Sequence, residues 1–263
     1  MLSLSELIQF YPEPLRGYKS FILREYLQCK ILQIIFNDQP KANKLCFIGG
    51  TSLRLLYNNN RFSEDIDFDH HGLTEKEFES ISKRIQQQLE LEGYTVEMRN
   101  VSAGAYHCYI QFPGLLYKEG LSGHPEQKIL IQLDSESQQY DFNPDKIILN
   151  KFDVFTEIPV APLSLLLAQK CYAMMNRKRS KGRDFFDIVF LLSKVKKPDY
   201  QYLNQKLGID NGEKLKEKML ETCARLNMKE MAADVAPFLF NPEDSKKVLL
   251  FEQYIRQVNF NDW

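Results

Sequence analysis

Apolar and polar positions in the first part of the chain alternate with the periods of helices and strands. From about residue 17 to residue 36, apolar side chains recur every three or four positions, which predicts a helix. The short apolar run Leu45–Ile48 predicts a buried strand. Thr74 is followed by acidic residues, as is typical of a helix start, and this helix is expected to stop at Gly93.

Alternation with a period of two predicts further strands in the same part of the chain. They cover about residues 94–100, 107–112, 128–134 and 153–158. One face of the segment 128–134 is apolar, and Gln132 and Asp134 lie on the other face. The pattern therefore places a carboxylate at the end of this strand, facing away from the apolar side.

After residue 160 the pattern becomes helical. Pro162 is a favourable first helical position, and apolar residues continue at helical spacing to about Arg177. After a break at residues 179–182, Asp184 is expected to cap a second helix, and several shorter helices follow residue 200. We therefore expect a boundary near residue 160, with one part at 1–160 and a mainly helical part at 161–263.

The segment from residue 47 to residue 69 combines a glycine pair with alternating carboxylates. Gly49 and Gly50 end the first strand, Thr51 or Ser52 is expected to cap a short helix, and residues 58–60 form a turn. Asp65 and Asp67 then share one face of a strand, about 6.6 Å apart at a rise of roughly 3.3 Å per residue. Ile66 and Phe68 would point into the core.

This arrangement favours metal-dependent chemistry on a nucleotide. Two adjacent carboxylates raise each other's pKa, so they stabilise a sheet poorly but suit Mg²⁺, which prefers oxygen ligands. A glycine-rich turn at a helix start offers backbone N–H groups to a phosphate. An Asp-x-Asp pair also occurs on polar edge strands and in glycosyltransferases that use sugar nucleotides, so both of these alternatives stay open.

Composition narrows the class of protein. With 263 residues, 44% hydrophobic and 26% charged, the chain has the composition of an ordinary soluble globular protein. A net charge of −1 means that any affinity for nucleic acid must come from a local patch. The scattered cysteines predict reduced thiols in the cytoplasm, and neither a signal peptide nor a membrane-spanning run is expected. The histidines do not have the spacing of a zinc site.

Two groups of residues resemble the AbiEii/AbiGii toxin family of nucleotidyltransferases, which belongs to the DNA polymerase beta-type superfamily. The first group resembles the first family motif and comprises Gly49-Gly50-Thr51-Ser52, Arg54, Arg61, Ser63 and Asp65-Ile66-Asp67-Phe68. The second is similar to the later motifs and comprises Ala168-Gln169-Lys170, Arg177, Arg183-Asp184 and Asp187. The resemblance covers roughly residues 45–195. It implies an α+β fold, a mixed-sheet nucleotidyltransferase core with flanking helices and a helical C-terminal part.

The resemblance also implies roles for these residues in moving NMP from an NTP to an acceptor hydroxyl. Two Mg²⁺ ions would be held by Asp65 and Asp67, with Asp134 as the third carboxylate and Glu136 as the alternative. Lys170 would neutralise the triphosphate, ordered by Asp184 or, instead, by Asp187. Nucleotide binding is assigned to Gly49, Gly50, Thr51, Ser52, Arg54, Ser63 and Lys170, and Arg61 is an alternative to Arg54.

Partners also follow from the resemblance. Members of this family act as toxins of toxin–antitoxin or phage-defence systems, and some modify the 3′ end of tRNA. An RNA acceptor, such as tRNA, and a cognate antitoxin are therefore expected. The excess of basic residues between Lys170 and Lys197 agrees with a surface for phosphate groups, although a solvated loop would also be rich in lysine. A non-catalytic nucleotide- or RNA-binding module with the same fold is the alternative function.

Overall fold

The computed structural model describes residues 1–37, 42–102 and 104–259. Contacts divide the chain into two compact units. The first unit comprises Met1–Tyr57 and Phe62–Val160, and the second comprises Asn58–Arg61 and Ala161–Trp263. The hydrophobic pattern does not indicate that four residues at 58–61 belong with the second unit.

A seven-stranded mixed sheet forms the centre of the first unit. Its strands lie in the order β3-β4-β5-β2-β1-β7-β6; β1 and β7 are parallel, as are β2 and β5, and the remaining neighbours are antiparallel. The strands are β1 Leu45–Ile48, β2 Ile66–His70, β3 Glu97–Ser102, β4 Tyr106–Phe112, β5 Ile129–Glu136, β6 Asp145–Lys151 and β7 Val154–Val160.

Two long helices of the first unit cover one face of this sheet. In α2 the ring of Phe36 lies 5.9 Å from that of Phe68 on β2, and in α4 the ring of Phe78 lies 5.3 Å from that of Tyr106 on β4. The described helices of this unit are α1 Leu4–Leu7, α2 Lys19–Phe36, α3 Gly49–Tyr57, α4 Glu75–Leu91 and α5 Leu115–Lys118.

Strand pairing brings together residues that are far apart in sequence. Asp67 on β2 lies opposite Ile48 at the end of β1 and opposite Asp134 on β5. On the other side of β5, Asp134 lies opposite His107 on β4. Residues opposite each other in a sheet point to the same face, so these pairings assemble one polar row.

The second unit is helical in its described part. Gly182, at the start of α7, packs directly on α10: an added Cβ would lie 1.8 Å from the Met231 carbonyl oxygen, so glycine is required there. The Gly182 N–H also donates to the Asp234 carboxylate at 2.8 Å. The helices are α6 Leu163–Asn176, α7 Gly182–Leu192, α8 Tyr200–Leu207, α9 Gly212–Ala224, α10 Met228–Val235, α11 Lys246–Leu249 and α12 Phe251–Gln257.

Long, strongly patterned elements are predicted well by the sequence. The structure confirms the α+β class, the strand Leu45–Ile48, the helix that ends at Phe36 and the capped helix after Thr74. Thr74 and Glu77 form the reciprocal hydrogen bonds of a capping box, which satisfies N–H groups in the first turn.

Several predicted boundaries are wrong. The strand expected at 94–100 begins only at Glu97, and the strand Asp145–Lys151 was not predicted at all. β2 begins at Ile66, so Asp65 precedes the strand. β6 lies at the edge of the sheet and its residues are largely exposed, which leaves a weak apolar pattern.

Three predicted helix starts are also wrong. The helix after β1 begins at Gly49, and Pro162 is the N-cap of α6 rather than its first helical residue. Asp184 does not cap α7, because Lys181 occupies the N-cap position and the Asp184 side chain contacts Lys170 instead. A charged partner in the tertiary structure has thus replaced a local capping bond.

None of the helices in the described part of the chain is both long and apolar enough to cross a membrane. The five cysteine side chains are buried and are not joined in disulfides.

Candidate active site

Gly49 and Asp67 are in direct contact. The backbone of Gly49 has φ of +77°, and an added Cβ would lie 2.2 Å from the Asp67 Oδ2 atom. A side chain at this position would therefore be strained and would also displace the carboxylate. The glycine that was predicted to approach a phosphate also makes room for the proposed metal ligand.

The hydroxyl groups after the glycine pair bind the backbone of this segment. The Thr51 hydroxyl donates to the Asp65 carbonyl oxygen, and the Ser52 hydroxyl donates to the Gly49 carbonyl oxygen at 2.9 Å. Both side chains are buried. Thr51 therefore fixes the chain just before β2. Because both hydroxyl groups already donate to the backbone, the N–H groups in the first turn of α3 are the candidate donors to a phosphate.

Asp134 has polar neighbours on its own strand and on β4. Its Oδ1 atom lies 2.7 Å from His107 Nδ1, and Gln132 Nε2 donates to both carboxylate oxygens at 2.9 and 3.0 Å. The side chains of His107 and Asp134 are each 29% exposed. Asp134 is thus held in one orientation next to Asp67, and the site remains open to solvent.

The donor set of this row suits magnesium, although the described residues contain no group of three or more His, Cys, Asp or Glu arranged to hold a metal ion. Mg²⁺ commonly takes one or two protein carboxylates and completes its shell with water and substrate phosphates. Asp65 and Asp67 fit this requirement, since both are partly exposed and Asp67 lies at the glycine turn. The alternative third acid, Glu136, is exposed and lies opposite the buried Asp69.

Arg54 is buried in another part of the first unit. Its guanidinium donates to both oxygens of Glu25 at 2.8 and 3.1 Å, and Lys151 and the Tyr11 hydroxyl also contact Glu25. Burial alone would raise the pKa of Glu25, but Arg54 and Lys151 outweigh burial and lower it. This network joins α3 to α2, and contact between Arg54 and a nucleotide stays a prediction.

Ser63 contributes its backbone to the packing of the first unit. Its carbonyl oxygen accepts a hydrogen bond from Gln28 Nε2 at 3.2 Å, and the same amide donates to the Glu64 carbonyl oxygen at 2.9 Å. Gln28 is buried on α2, so it holds the segment that leads into β2. The predicted nucleotide contact of Ser63 remains a prediction.

The second unit contains a buried charged cluster centred on Asp187. Asn59 and Arg61 donate to one carboxylate oxygen at 2.8 and 2.7 Å, while Arg61 also donates to the other oxygen at 2.6 Å. Lys170 Nζ lies 2.8 Å from that second oxygen. Burial alone would raise the pKa of Asp187, but Arg61 and Lys170 outweigh it and lower the pKa to about 2.

Lys170 is paired with both acids of the second motif. Its ammonium lies 3.0 Å from Asp184 and 2.8 Å from Asp187. Burial alone would lower the pKa of Lys170, but these two carboxylates outweigh burial and raise it. The sequence left open which acid orders the lysine, and the structure shows contacts with both.

Other basic residues of this region are more exposed. Arg177 lies 3.5 Å from Asp184 and its side chain is 41% exposed, while Arg183 stacks over the Phe238 ring at 4.6 Å. The exposed basic residues are Arg177, Lys178, Arg179, Lys194, Lys196 and Lys197. They provide positive charge on the surface of the second unit.

Sequence reasoning missed the partners of the predicted acids. The spacing of the histidines argues only against a zinc site, whereas in the structure His107 contacts Asp134 across the β4–β5 pair. Gln132 could have been found, because alternation places it on the same face as Asp134. Asn59 gave no sequence signal, since its contact with Asp187 depends on the return of residues 58–61 to the second unit.

An α+β fold with a glycine turn and a carboxylate row on its central strands matches the class of nucleotidyltransferases. The family model described as "Nucleotidyl transferase AbiEii toxin, Type IV TA system" matches residues 30–250. The chain therefore belongs to this family of nucleotidyltransferases, whose name assigns its members to toxin–antitoxin systems.

Solved structures share the fold at low sequence identity. MenT4, a nucleotidyltransferase toxin from Mycobacterium tuberculosis H37Rv, is 13% identical with a TM-score of 0.59, covering 98% of this chain and 90% of that chain. JHP933 from Helicobacter pylori is 15% identical with a TM-score of 0.51, covering 90% and 92% of the two chains. No sequence among the curated proteins matches this chain.

Proposed function

We propose that this nucleotidyltransferase moves NMP from an NTP to a hydroxyl group of an RNA acceptor, with magnesium as its cofactor. The observation that carries the proposal is the polar row on β2 and β5, where Asp67 and Asp134 lie opposite each other and Gly49 leaves space for the Asp67 carboxylate. These carboxylates supply the oxygen ligands that Mg²⁺ prefers, and they lie next to a glycine turn of the kind that binds phosphate.

The polar row suggests a role in the transfer reaction for each of several residues in the first unit. Asp65 and Asp67 would hold the Mg²⁺ ions, and the backbone N–H groups of Gly49 and Gly50 would bind the triphosphate. Bound Mg²⁺ neutralises phosphate charge and makes the acceptor hydroxyl more acidic. Asp134 is proposed as the third metal-binding carboxylate and takes the proton as the acceptor oxygen bonds to the α-phosphorus. The bond from that phosphorus to the bridging oxygen of the β-phosphate then breaks, and pyrophosphate leaves.

In the second unit, Lys170 is proposed to neutralise the triphosphate and Asp184 to keep the lysine ordered. Their ion pair at 3.0 Å supports the ordering part of this role. If the lysine binds phosphate, Lys170→Gln should raise the KM for NTP more than the KM for the acceptor. An equal effect on both constants would indicate a structural role alone.

RNA is proposed as the acceptor, with tRNA as the first candidate, and a cognate antitoxin is proposed as the protein partner. The exposed basic residues of the second unit support an acceptor with a phosphate backbone. Phage defence is the corresponding biological role for a toxin of this family. Weakening of the RNA interaction with rising salt would support the electrostatic part of the proposal.

The test is label transfer with purified protein, Mg²⁺, total tRNA and each of the four α-labelled NTPs in turn. Label should enter RNA from at least one NTP, and Asp65→Asn and Asp67→Asn should abolish the signal. Asp69→Asn is the matched control, because Asp69 lies on the same strand as Asp67 but is buried. NTP consumption without labelled RNA would contradict an RNA acceptor, and NTP binding without turnover would favour a binding module.

A further inference from the structure

The strands β3, β4 and β5 have one covered face and one open face. Cys108 and Ile110 of β4 are fully buried on the face where α4 packs. On the opposite face, Arg99, Tyr109 and Gln132 lie opposite one another in a row across the three strands. Arg99 is exposed, whereas Tyr109 and Gln132 are partly exposed.

Arg99 and Tyr109 form a stacked pair on this open face. The guanidinium carbon of Arg99 lies 4.7 Å from the centroid of the Tyr109 ring. Aromatic rings and arginine planes on an exposed sheet are the surfaces on which unpaired RNA bases stack. The pair therefore offers a planar, positively charged surface of the kind that suits a nucleobase.

This pair lies one row away from the carboxylates of the proposed active site. Gln132 is opposite Tyr109 and donates to both oxygens of Asp134, so it joins the two rows. Two strand spacings separate β4 from β2, which corresponds to roughly 10 Å. A base stacked at Tyr109 would thus be close enough for its own ribose to approach the carboxylate row.

The order of strands distinguishes the acceptor side from the triphosphate side. The glycine turn follows β1, which lies on one side of β2, whereas β5, β4 and β3 lie on the other side. The proposed function places the triphosphate at the glycine turn, so the β4 side is available to the attacking hydroxyl. This is also the side on which Asp134 lies.

We propose that Arg99 and Tyr109 form a stacking subsite for the unpaired 3′-terminal base of an RNA acceptor. The inference rests on the proposed function, since it names the part of the site that receives the acceptor. His107 and Gln132 contact Asp134, which the proposed function places next to the acceptor hydroxyl.

The experiment measures binding of two 5′-fluorescein-labelled RNA octamers in EDTA without NTP. One octamer carries a normal 3′-terminal adenosine and the other carries an abasic ribose at that position. Wild-type protein should bind the abasic RNA roughly 5- to 100-fold more weakly, because one base–aromatic stack is lost. In Tyr109→Leu the ratio of the two affinities should fall to about twofold or less.

Taking the ratio within each variant removes general effects on folding or RNA affinity. Tyr109→Phe and Tyr109→Trp should keep the preference for the base, and Arg99→Gln should reduce it. Tyr117→Leu and Arg84→Gln are matched controls, since Tyr117 is 54% exposed on α5 and Arg84 is exposed on α4. Both controls should keep the wild-type ratio.

The inference is overturned if wild-type protein binds both octamers equally, binds neither, or if Tyr109→Leu keeps the full ratio. Label transfer separates this outcome from failure of the proposed function. Transfer to RNA without any preference for the terminal base would leave the function standing and remove the subsite. A preference that depends on Tyr109, without transfer from any NTP, would support the subsite and contradict the transfer reaction.

Discussion

Asp67 in the first unit and Asp187 in the second unit have the same side chain in different surroundings. Asp67 is partly exposed, next to a glycine whose missing side chain leaves space for the carboxylate. Asp187 is fully buried and contacts Asn59, Arg61 and Lys170. Both belong to motifs that the sequence predicts as functional.

The difference separates two uses of an aspartate. A carboxylate that is already surrounded by protein cations is stabilised within the fold, and removing it leaves buried charges without their partner. A partly exposed carboxylate can instead bind a metal ion together with substrate phosphates. Asp67 is therefore expected to affect chemistry, and Asp187 is expected to affect stability.

The largest expected effect is the loss of transfer activity in Asp67→Asn. The rate should fall on the order of 10³-fold, because a charged metal ligand is lost. The melting temperature should change by no more than about 2 °C, since the side chain is partly exposed. Label transfer and thermal unfolding measure the two quantities. Full activity in this variant would remove Asp67 from the metal site.

In contrast to Asp67→Asn, the variant Asp187→Asn should mainly lower stability. Breaking the buried charged cluster should lower the free energy of unfolding by about 3–5 kcal/mol, measured by urea unfolding with circular dichroism. Asp210→Asn is the matched control, because Asp210 pairs with Lys214 on the surface and no measurable loss is expected there. A wild-type free energy of unfolding in Asp187→Asn would contradict the structural role of the cluster.

Gly49→Ala should lower both the stability of the protein and its transfer activity. The positive φ is expected to cost about 1–3 kcal/mol of stability in a residue with a side chain. Displacement of Asp67 should reduce kcat roughly 10- to 100-fold, because misplacement by about 1 Å is enough for such a loss. Gly17→Ala is the control, since an added Cβ there meets no atom within 4 Å. Unchanged kcat in Gly49→Ala would contradict the contact with Asp67.

Lowering the pH should reduce the free energy of unfolding through protonation of Asp187, and this is the smallest of the expected effects. The pKa of this group falls from its ordinary 3.8 to about 2 in the folded chain. The folded state therefore binds the proton less readily than the unfolded state, so the contribution is complete above about pH 5 and disappears as pH falls through the folded pKa. The full contribution is roughly 2 kcal/mol, of which about 1 kcal/mol should be lost by pH 3.

Urea unfolding of wild-type protein and Asp187→Asn at pH 6 and pH 3 measures this effect. The gap between the two proteins should narrow by about 1 kcal/mol at pH 3, because other titrating groups are common to both. A gap that is constant or widens in acid would contradict the lowered pKa of Asp187.

Local signals in the sequence were strongest where a single element carries the whole pattern. The helix after Thr74 has its cap, its acidic first turn and its apolar face within one segment, and the structure confirms it. The edge strand β6 lacks a continuous apolar face and was missed. The distance from Asp65 to Asp67 along the chain was visible, but the start of β2 after Asp65 depends on pairing with β1 and β5.

The sequence by itself determined the family, the α+β class and the residue types of the candidate site, because these depend on motifs and on short-range periodicity. Only the tertiary structure decided which polar side chains pair: His107 with Asp134, Arg54 with Glu25, and Arg61 with Asp187. Each pair joins residues that are far apart along the chain, and strand register and burial select one partner among many suitable polar residues. Spacing along the chain carries no information about that selection.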